Sequence, residues 1–508
     1  MAQLDNTADT MTRSTGGNDS PAGGRTDTNT ISPSTTDKID CDLCVIGAGS
    51  GGLSVAAAAS QLGVNVVLLE KHKMGGDCLN YGCVPSKALL AAAKKAHIMR
   101  SSADFGIVPT SPSINYKNVH DHVKAVIAAI EPNDSVERFT GLGVNVIQAP
   151  GRFVDRSTVV AGDTQIKARR FIVATGSSPA VPPIPGLDGV PYFTNETLFD
   201  NQEKLDHLIV IGGGPIGMEM AQAHMRLGSR VTVLEAMKAM GKDDPELAEV
   251  VLKKLRAEGL EIREGARVEK IDGQAGAIRV HISENGVETS VEGTHLLVAT
   301  GRKPNIADLN LDAAGIKYDK RGIQVNEGLV TSNSKVFAIG DVIGGLQFTH
   351  VANYHAGIVL RKALFRMPAK ANSNAIPWVT YTDPELAHVG MTEDEARKKA
   401  GTINVYRWPY HENDRAQAER KTDGFVKVVT DKKGRILGAS IVGESAGELI
   451  QMWSLAIAKK MKLKDLTVWI SPYPTLTEVN KRAAMGIYAS AASNPMVRKA
   501  VSFLSKFG

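Results

Sequence analysis

The stretch CVIGAGSGG at residues 44–52 has the pattern of a buried strand, a tight turn and the start of a helix. Its G-x-G-x-x-G glycines are Gly47, Gly49 and Gly52. Small residues here let the backbone approach a pyrophosphate, which the free N–H groups of the helix N-terminus would bind. Glu70 ends the next predicted strand, 18 positions after the last glycine, where it would accept hydrogen bonds from a ribose. Together these features predict a dinucleotide-binding unit.

The same arrangement returns in the stretch LIVIGGGPIG at residues 208–217. The glycines of this second copy are Gly212, Gly214 and Gly217. Glu235 again follows the last glycine by 18 positions, and its carboxylate would bond a free 2′-hydroxyl and repel a 2′-phosphate. Because residues 236–238 offer one lysine and no arginine, the sequence favours NAD over NADP. An ordinary surface glutamate at a strand end stays open as the alternative for Glu235.

Two cysteines separated by four residues lie in GGDCLNYGCVPSK at residues 75–87, directly before an apolar helical pattern. A disulfide needs Cα atoms about 4.4–6.8 Å apart, so this pair requires an irregular first turn. Gly82 permits such a turn, and Pro85 suits the opening of a helix, whose N-terminus lowers the pKa of a thiol. The stretch favours a pair that cycles between disulfide and thiolate. Two buried cysteines in a glycine-rich loop are the alternative.

Composition excludes several classes of protein. A length of 508 residues suggests about three domains, and 59 basic against 54 acidic residues give a charge of only +5, too small to indicate nucleic-acid binding. Four cysteines are too few for a secreted disulfide scaffold, and Cys41 and Cys44 lie in a strand pattern that predicts buried hydrophobes rather than metal ligands. No apolar run is long enough for a membrane span, and residues 1–38 predict a disordered tail without a signal-peptide core. We therefore expect a cytoplasmic protein.

From about Asp40 to about Tyr488 the chain resembles the class I pyridine nucleotide–disulfide oxidoreductases, which include dihydrolipoyl dehydrogenase, glutathione reductase and mercuric reductase. The resemblance rests on the cysteine stretch, both glycine fingerprints, the Ala-Thr-Gly segments at 174–176 and 299–301, and Gly340-Asp341. It implies an α/β fold with two Rossmann-like domains, for FAD and NAD, and a C-terminal α+β dimerisation domain. The implied divisions are a tail at 1–38, an FAD domain at 39–190 and 311–373, an NAD domain at 191–310, and a dimerisation domain at 374–508.

The resemblance also implies roles for individual residues. Cys83 would be the flavin-proximal thiolate and Cys78 the sulfur that exchanges with substrate, while Lys87 and Glu219 would pair beside the flavin ring. Gly47, Gly49, Gly52 and Glu70 would hold the adenosine half of FAD. Gly212, Gly214, Gly217 and Glu235 would hold NAD. The remaining implied cofactor-binding residues are Thr175, Gly176, Gly301, Gly340, Asp341, on the ribityl side of the flavin, and Thr349.

One position departs from the family pattern. Members such as dihydrolipoyl dehydrogenase place a histidine before Pro-Thr near the C-terminus, with a glutamate five positions later. Here Tyr473 replaces the histidine and Glu478 is retained. A phenol of ordinary pKa near 10 is a poor proton acceptor at neutral pH. His350 is a possible substitute, although packing beside the flavin is the favoured interpretation for it.

These features predict an NAD(P)H-dependent flavoprotein that reduces a small-molecule or small-protein disulfide, or another thiol-reactive substrate. The alternatives are dihydrolipoyl dehydrogenase, a mercuric reductase-like enzyme, and, from another class, a flavoprotein diaphorase or redox-sensing binding module. Cys83 is the last cysteine, so the C-terminal cysteine pair typical of mercuric reductases is absent. The resemblance implies a homodimer in which Tyr473 and Glu478 lie over Cys78 of the other subunit. We expect no bound metal, nucleic acid or membrane.

The end of the chain has a pattern of its own. Residues 495–507 predict a short helix with Val497, Val501 and Leu504 on one side. We interpret it as a tail docked on the protein rather than as a membrane anchor.

Overall fold

The computed structural model describes residues 37–489 and 494–507. Residues 1–36, most of the predicted tail at 1–38, lie outside this range, whereas residues 37 and 38 begin the first strand. Within the described residues, no helix has both the length and the apolar character that a membrane span requires.

The first domain is built on a mainly parallel sheet. Its strands are β1 (Asp37–Ile46), β2 (Val66–Leu69), β3 (Asn145–Ile147), β4 (Gly151–Asp155), β5 (Thr158–Ala161), β6 (Thr164–Val173) and the short β7 (Ser177–Pro179), and its helices are α1 (Ser50–Gln61), α2 (Gly76–Asn80), α3 (Cys83–Arg100), α4 (Tyr116–Ile130) and α5 (Val136–Gly141). The order β3-β2-β1-β6-β5-β4 places β1 between two parallel neighbours, with both of its faces covered. Cys41 and Cys44 lie in this core, and burial raises the pKa of each thiol. The prediction of buried hydrophobes at these positions is confirmed.

The second domain repeats the strand–helix–strand unit. Its elements are β8 (His207–Ile211), α6 (Pro215–Arg226), β9 (Arg230–Glu235), α7 (Pro245–Ala257), β10 (Glu261–Glu264), β11 (Ala266–Gln274), β12 (Ala277–Glu284), β13 (Val287–Gly293) and β14 (His295–Val298). Strands β10, β9, β8 and β14 form a parallel sheet in that order, and β11, β12 and β13 form an antiparallel meander beside it. The fold therefore contains two Rossmann-like units, as predicted.

The chain then returns to the first domain. The elements of this return are β15 (Arg302–Pro304), β16 (Tyr318–Asp319), β17 (Gly322–Ile323), β18 (Val336–Ala338) and α8 (Thr349–Ala363). Strand β15 pairs with β7, and β18 adds to the first sheet in parallel with β6. Strands β1, β6 and β18 are parallel neighbours, so they end at the same edge of the sheet. The turns that follow them, at Gly47, Ala174 and Gly340, therefore lie along that edge.

The last domain is an antiparallel sheet covered by helices. Its elements are β19 (Pro377–Thr380), β20 (Glu385–Gly390), α9 (Glu393–Ala400), β21 (Ile403–Pro409), α10 (Asp414–Ala418), β22 (Phe425–Asp431), β23 (Ile436–Gly443), α11 (Ala446–Leu449), α12 (Gln451–Ala458) and α13 (Glu478–Met485). The sheet order is β19-β20-β23-β22-β21. Trp453 is fully buried in the core, and its indole N–H donates to Asn480 at 2.8 Å. A separate helix, Pro495–Leu504, follows this domain.

Candidate active site

The two glycine loops have the same backbone geometry. Gly47 and Gly212 have φ values of +106° and +112°, in the region that favours glycine. A Cβ at Gly52 would lie 1.9 Å from the carbonyl oxygen of Gly47, and one at Gly217 would lie 2.0 Å from that of Gly212. The middle glycine of each loop, by contrast, faces open space, with no atom within 4 Å of a Cβ added there. Each loop thus combines a tight turn with an open approach to a helix N-terminus, as a pyrophosphate requires.

Each loop is tied to the acid at the end of the following strand. Glu70 accepts hydrogen bonds from the backbone N–H groups of Ala48, at 2.7 Å, and His72, at 2.8 Å. Glu235 makes the same two contacts in its own unit, with the N–H groups of Gly213 at 2.8 Å and Met237 at 2.9 Å. The two glutamates therefore hold equivalent positions beside their loops.

A cavity of about 580 Å³ opens next to Glu70. Its polar lining comes from Lys71 and His72, which directly follow the glutamate, and from Arg152 and Asp308. These residues were not predicted from the sequence. The first two could have been found as the positions after the strand-ending acid, but Arg152 comes from a stretch that carries no motif.

The cysteine segment packs directly on the first glycine loop. Gly75 and Gly76 have φ values of +84° and +59°, and the N–H of Gly75 donates to the carbonyl of Ala48 at 3.0 Å. A Cβ on Gly76 would lie 2.8 Å from the Cα of Gly49. These contacts place the cysteines at the edge of the sheet where the loop begins.

Cys78 lies within α2, and Cys83 is the first residue of α3. The break between the two helices is the irregular turn that the sequence requires. Gly82 occupies this break with φ −121°, so it is not needed for a left-handed conformation. It is needed for space, because a Cβ there would lie 2.8 Å from a carboxylate oxygen of Asp77.

The two sulfurs are electrostatically unequal. A hydrogen bond from the Cys78 thiol lowers the pKa of Cys83 to about 6, with help from the Thr349 hydroxyl, 3.5 Å from Cys83 Sγ, and from the charge of Lys87. The same hydrogen bond, together with burial, raises the pKa of Cys78. These interactions, above all the charge of Lys87, which acts on Cys83, favour the negative charge of the reduced pair on Cys83 and the proton on Cys78.

An ion pair connects the cysteine helix to the second domain. Lys87 Nζ on α3 lies 2.7 Å from an oxygen of Glu219 on α6, and the Glu219 side chain is almost completely buried. The other Glu219 oxygen accepts the backbone N–H of Tyr381 at 3.0 Å, and the Tyr381 ring centre lies 4.4 Å from Lys87 Nζ. The structure thus brings together Lys87 and Glu219, and adds Tyr381 from the last domain, which the sequence analysis missed.

Arg302 is a second residue that the sequence analysis did not select. Its guanidinium lies 3.0 Å from Asp77 and donates to Ser177 Oγ at 2.7 Å. That Ser177 hydroxyl donates in turn to Asp341 at 2.6 Å, and burial raises the pKa of Asp341. Arg302 therefore links Asp341 to the cysteine segment. Its place immediately after the second Ala-Thr-Gly segment was the available signal.

The remaining predicted cofactor residues lie around the same edge. The Thr175 hydroxyl donates to the carbonyl of Asn305 at 2.7 Å, and the Gly176 carbonyl accepts the N–H of Asn305 at 3.0 Å. These bonds join the strand end of β6 to the segment that follows Gly301. Gly340 begins the turn after β18, with φ +69°.

Tyr473 is exposed, and so are Val468 and Ile470 earlier in the same segment, at 81% and 87%. Its hydroxyl donates to Asp414 at 3.0 Å, and this carboxylate raises the pKa of Tyr473. Glu478 is the first residue of α13. Among the hydrogen bonds of the described chain, none joins Tyr473 or Glu478 to the cysteine pair.

His350 is held by packing. Its Nε2 lies 2.8 Å from the carbonyl oxygen of Pro377, and its ring stacks on Phe348 with centroids 5.4 Å apart. Within residues 37–489 and 494–507, no group of three or more His, Cys, Asp or Glu side chains is arranged to hold a metal ion.

Comparison with known proteins agrees with this geometry. Residues 41–356 match the model of the pyridine nucleotide-disulphide oxidoreductases, and residues 376–484 match that family's dimerisation domain. A mercuric reductase from Lysinibacillus sphaericus is 36% identical over 87% of this chain and 82% of that protein. A dihydrolipoyl dehydrogenase from Staphylococcus aureus is 34% identical over 88% of this chain and 96% of that protein.

Solved structures give the same result. The HOCl-induced flavoprotein disulfide reductase RclA from Escherichia coli superposes with a TM-score of 0.78 and 27% identity, covering 87% of this chain and 99% of that one. LpdA from Mycobacterium tuberculosis superposes with a TM-score of 0.81 and 25% identity, covering 88% and 99%. The chain belongs to the pyridine nucleotide-disulphide oxidoreductase family, as a flavoprotein enzyme that uses FAD and NAD(P)H and has a disulfide redox centre.

Proposed function

We propose that this enzyme passes electrons from NADH to the Cys78–Cys83 pair and from there to a disulfide or another thiol-reactive substrate. One observation carries the proposal. The pair combines a stabilised thiolate at Cys83 with a protonated thiol at Cys78, on a segment packed against the first glycine loop. Burial raises the pKa of the other two cysteines, Cys41 and Cys44, whereas the charge of Lys87 contributes to lowering that of Cys83.

The first loop and its surroundings fit FAD. Open space at Gly49 suits the pyrophosphate, and the cavity beside Glu70 suits the adenosine. Asp341, held by Ser177, would bind the ribityl side, and Lys87 with Glu219 would lie beside the flavin ring. When bound, FAD supplies the hydride acceptor for NADH and the electron pair that reduces the cysteine disulfide.

Reduction of the Cys78–Cys83 bond adds two electrons and one proton to the pair. The proton stays on Cys78, because the hydrogen bond to Cys83 and burial raise its pKa. The charge stays on Cys83, stabilised by the Cys78 thiol, the Thr349 hydroxyl and the Lys87 ammonium. The chain's own residues therefore decide which sulfur keeps the proton.

Exchange with a substrate disulfide begins when Cys78 transfers its proton to the Cys83 thiolate. The Cys78 thiolate attacks one substrate sulfur, forms a mixed disulfide and displaces the other sulfur, which takes the proton from Cys83. The Cys83 thiolate then attacks Cys78 Sγ, restores the internal disulfide and releases the second substrate thiolate, which is protonated by solvent. One disulfide is thus reduced to two thiols, and one is formed in the enzyme.

Tyr473 supports a substrate other than lipoamide. Its hydroxyl is a hydrogen-bond donor to Asp414 and has a raised pKa, so it cannot accept a proton at neutral pH as a histidine would. In the homodimer that the dimerisation-domain match supports, Tyr473 and Glu478 would lie over the partner's Cys78. The exposed apolar side chains of Val468 and Ile470, in the segment that leads to Tyr473, suit burial in such an interface.

Two further predictions accompany this function. Glu235 beside the second loop favours NADH over NADPH, since its carboxylate would repel a 2′-phosphate. The cytoplasmic location also stays a prediction. A mercuric substrate is the second candidate, because the relative from Lysinibacillus sphaericus carries that name. The absence of any cysteine after Cys83 favours a disulfide over a metal ion.

The test is a Cys78→Ser variant assayed against a panel of lipoamide, other disulfides and Hg²⁺. We expect NADH-dependent reduction of every panel substrate to fall to background, while reduction of an artificial dye by NADH persists. Cys41→Ser, a buried cysteine away from the site, is the matched control and should keep both activities. Unchanged substrate turnover in Cys78→Ser would contradict the relay, and lipoamide as the best substrate would contradict the interpretation of Tyr473.

A further inference from the structure

The helix Pro495–Leu504 lies outside the domains that define the family. The dimerisation-domain match ends at residue 484, and this helix begins eleven positions later. None of its residues is buried in the structure. The expectation of a tail docked on the protein is therefore wrong for the single chain, because no described surface of the protein covers the apolar side chains.

The helix has two chemically distinct sides. At 3.6 residues per turn, one side of the helix collects its apolar residues, which are Met496, Val497, Ala500, Val501, Phe503 and Leu504, and Phe507 follows shortly after the helix ends. Those larger than alanine are between 41% and 76% exposed. The rings of Phe503 and Phe507 pack edge to face with their centroids 5.1 Å apart, so an aromatic pair lies at the C-terminal end of the segment.

The opposite side collects every charged residue of the segment, and all of them are basic. Within the helix they are Arg498 and Lys499, accompanied by Ser502, and Lys506 follows in the turn after the helix. No acidic residue occurs between 494 and 507. A basic polar side opposite a Phe- and Leu-rich side is complementary to an anionic lipid surface, where the apolar side enters the acyl boundary and the cations stay among the headgroups.

We propose that this helix binds the surface of an anionic lipid bilayer and brings the reductase to the membrane. The helix lies in the plane of the surface and does not span the membrane, since ten residues are too few to cross it. A single short helix of this kind binds weakly and reversibly. A homodimer carries two copies, so that attachment of one raises the effective concentration of the other at the same surface.

The experiment is co-sedimentation of the full-length holoenzyme with two kinds of vesicle. One is pure phosphatidylcholine, and the other is phosphatidylcholine with roughly 30% phosphatidylglycerol, an anionic lipid. Binding is expected only with the anionic vesicles and should weaken as salt is raised. Val501→Asp should reduce partitioning by at least about tenfold, since it removes apolar contact and adds a repelled charge. Val287→Asp is the matched control, because both valines are 61% exposed, and it should bind as the parent does.

A second pair of variants tests the charges. The double change Lys499→Gln and Lys506→Gln should reduce partitioning roughly 30-fold, whereas Lys432→Gln with Lys433→Gln, in an exposed turn, should not. Light scattering of each variant measures the oligomeric state in parallel. Absence of binding to anionic vesicles, or equal binding by Val501→Asp, would overturn the proposal. Conversion of the dimer to a monomer by Val501→Asp, without vesicle binding by the parent, would assign the apolar side to a second copy instead.

Discussion

The two glycine loops share one backbone design but differ in what covers them. In the first loop, Gly51 is buried, and a Cβ there would meet side chains of Ala352 and Ile339 at 3.2 Å. The equivalent residue of the second loop is Ile216, which is 40% exposed. The segments after the two acids begin alike, since the N–H of Gly75 donates to the carbonyl of Ala48 at 3.0 Å and that of Met240 donates to the carbonyl of Gly213 at 2.8 Å. In the first unit, Gly76 also packs against the middle glycine, Gly49, and the segment leads into the cysteine pair.

This difference indicates which nucleotide stays and which exchanges. A cofactor held between the first loop, helix α8 and the cysteine segment is enclosed by several elements and must stay near the cysteines through each cycle. A nucleotide at the second loop binds at a surface with exposed residues such as Ile216 and Met237, from which the oxidised form can leave. We therefore propose that the first copy of the motif holds a resident flavin and that the second binds a nicotinamide nucleotide that exchanges.

The largest expected effect separates the two loops directly. Gly52→Val places a side chain about where the carbonyl oxygen of Gly47 lies, so the protein should be purified without flavin and with a lowered Tm. Gly217→Val makes the equivalent clash in the second loop, and should keep its flavin while kcat/KM for NADH falls on the order of 100-fold or more. Flavin absorbance and steady-state kinetics measure both. Loss of flavin from Gly217→Val, with Gly52→Val unaffected, would reverse the assignment of the loops.

An intermediate effect is expected for the ion pair that joins the two units. Lys87→Met leaves the buried Glu219 without its cation, which should lower the free energy of unfolding by about 2 kcal/mol, less than for a fully buried pair because Lys87 is partly exposed. It should also raise the pKa of Cys83, because the Lys87 charge lowers that pKa. Chemical denaturation measures the first effect. Lys370→Met breaks an ion pair of the same 2.7 Å length on the surface and should leave stability unchanged.

The smallest expected effect concerns nucleotide choice. Glu235→Ala removes the carboxylate that would repel a 2′-phosphate, so the ratio of kcat/KM for NADPH to that for NADH should rise about tenfold, the equivalent of one charged hydrogen bond. Glu70→Ala, the equivalent change at the first loop, should weaken flavin retention and leave this ratio unaltered. If Glu70→Ala changed the ratio for NADPH over NADH and Glu235→Ala did not, the nicotinamide nucleotide would bind at the first loop and the flavin at the second.

The sequence predicted those parts of the site that depend on local pattern. Both glycine loops, the break at Gly82 and the closeness of Cys78 and Cys83, which are free thiols in the structure, follow from residues close together in the chain. The disulfide between them stays a prediction. The family resemblance added Lys87 with Glu219, two charges that otherwise look like ordinary surface residues of helices. Their contact exists only because α3 and α6 pack against each other, which no local pattern shows.

The parts that were missed depend on distant segments. Arg302 and Tyr381 reach the site, and Asp414 reaches Tyr473, from another strand, loop or helix. Of these three residues, Arg302 alone directly follows a motif. The last helix was misassigned for the same reason, since its pattern shows an apolar side but not whether the protein has a surface to cover it. Gly82 lies in the irregular turn between the two helices, where it was predicted, but its close approach to Asp77 was not visible in the sequence.

The central claim is that Cys83 holds the thiolate of the reduced pair. Anaerobic reduction with one equivalent of NADH, followed by a pH titration of the long-wavelength absorbance of a thiolate beside oxidised flavin, tests it most directly. Because the pKa of Cys83 is lowered to about 6, the band should be present at pH 7 and above and disappear as the pH falls through about 6. It should persist in Cys78→Ser and vanish in Cys83→Ser. A midpoint near 9, or a band that Cys78→Ser abolishes and Cys83→Ser keeps, would contradict the account.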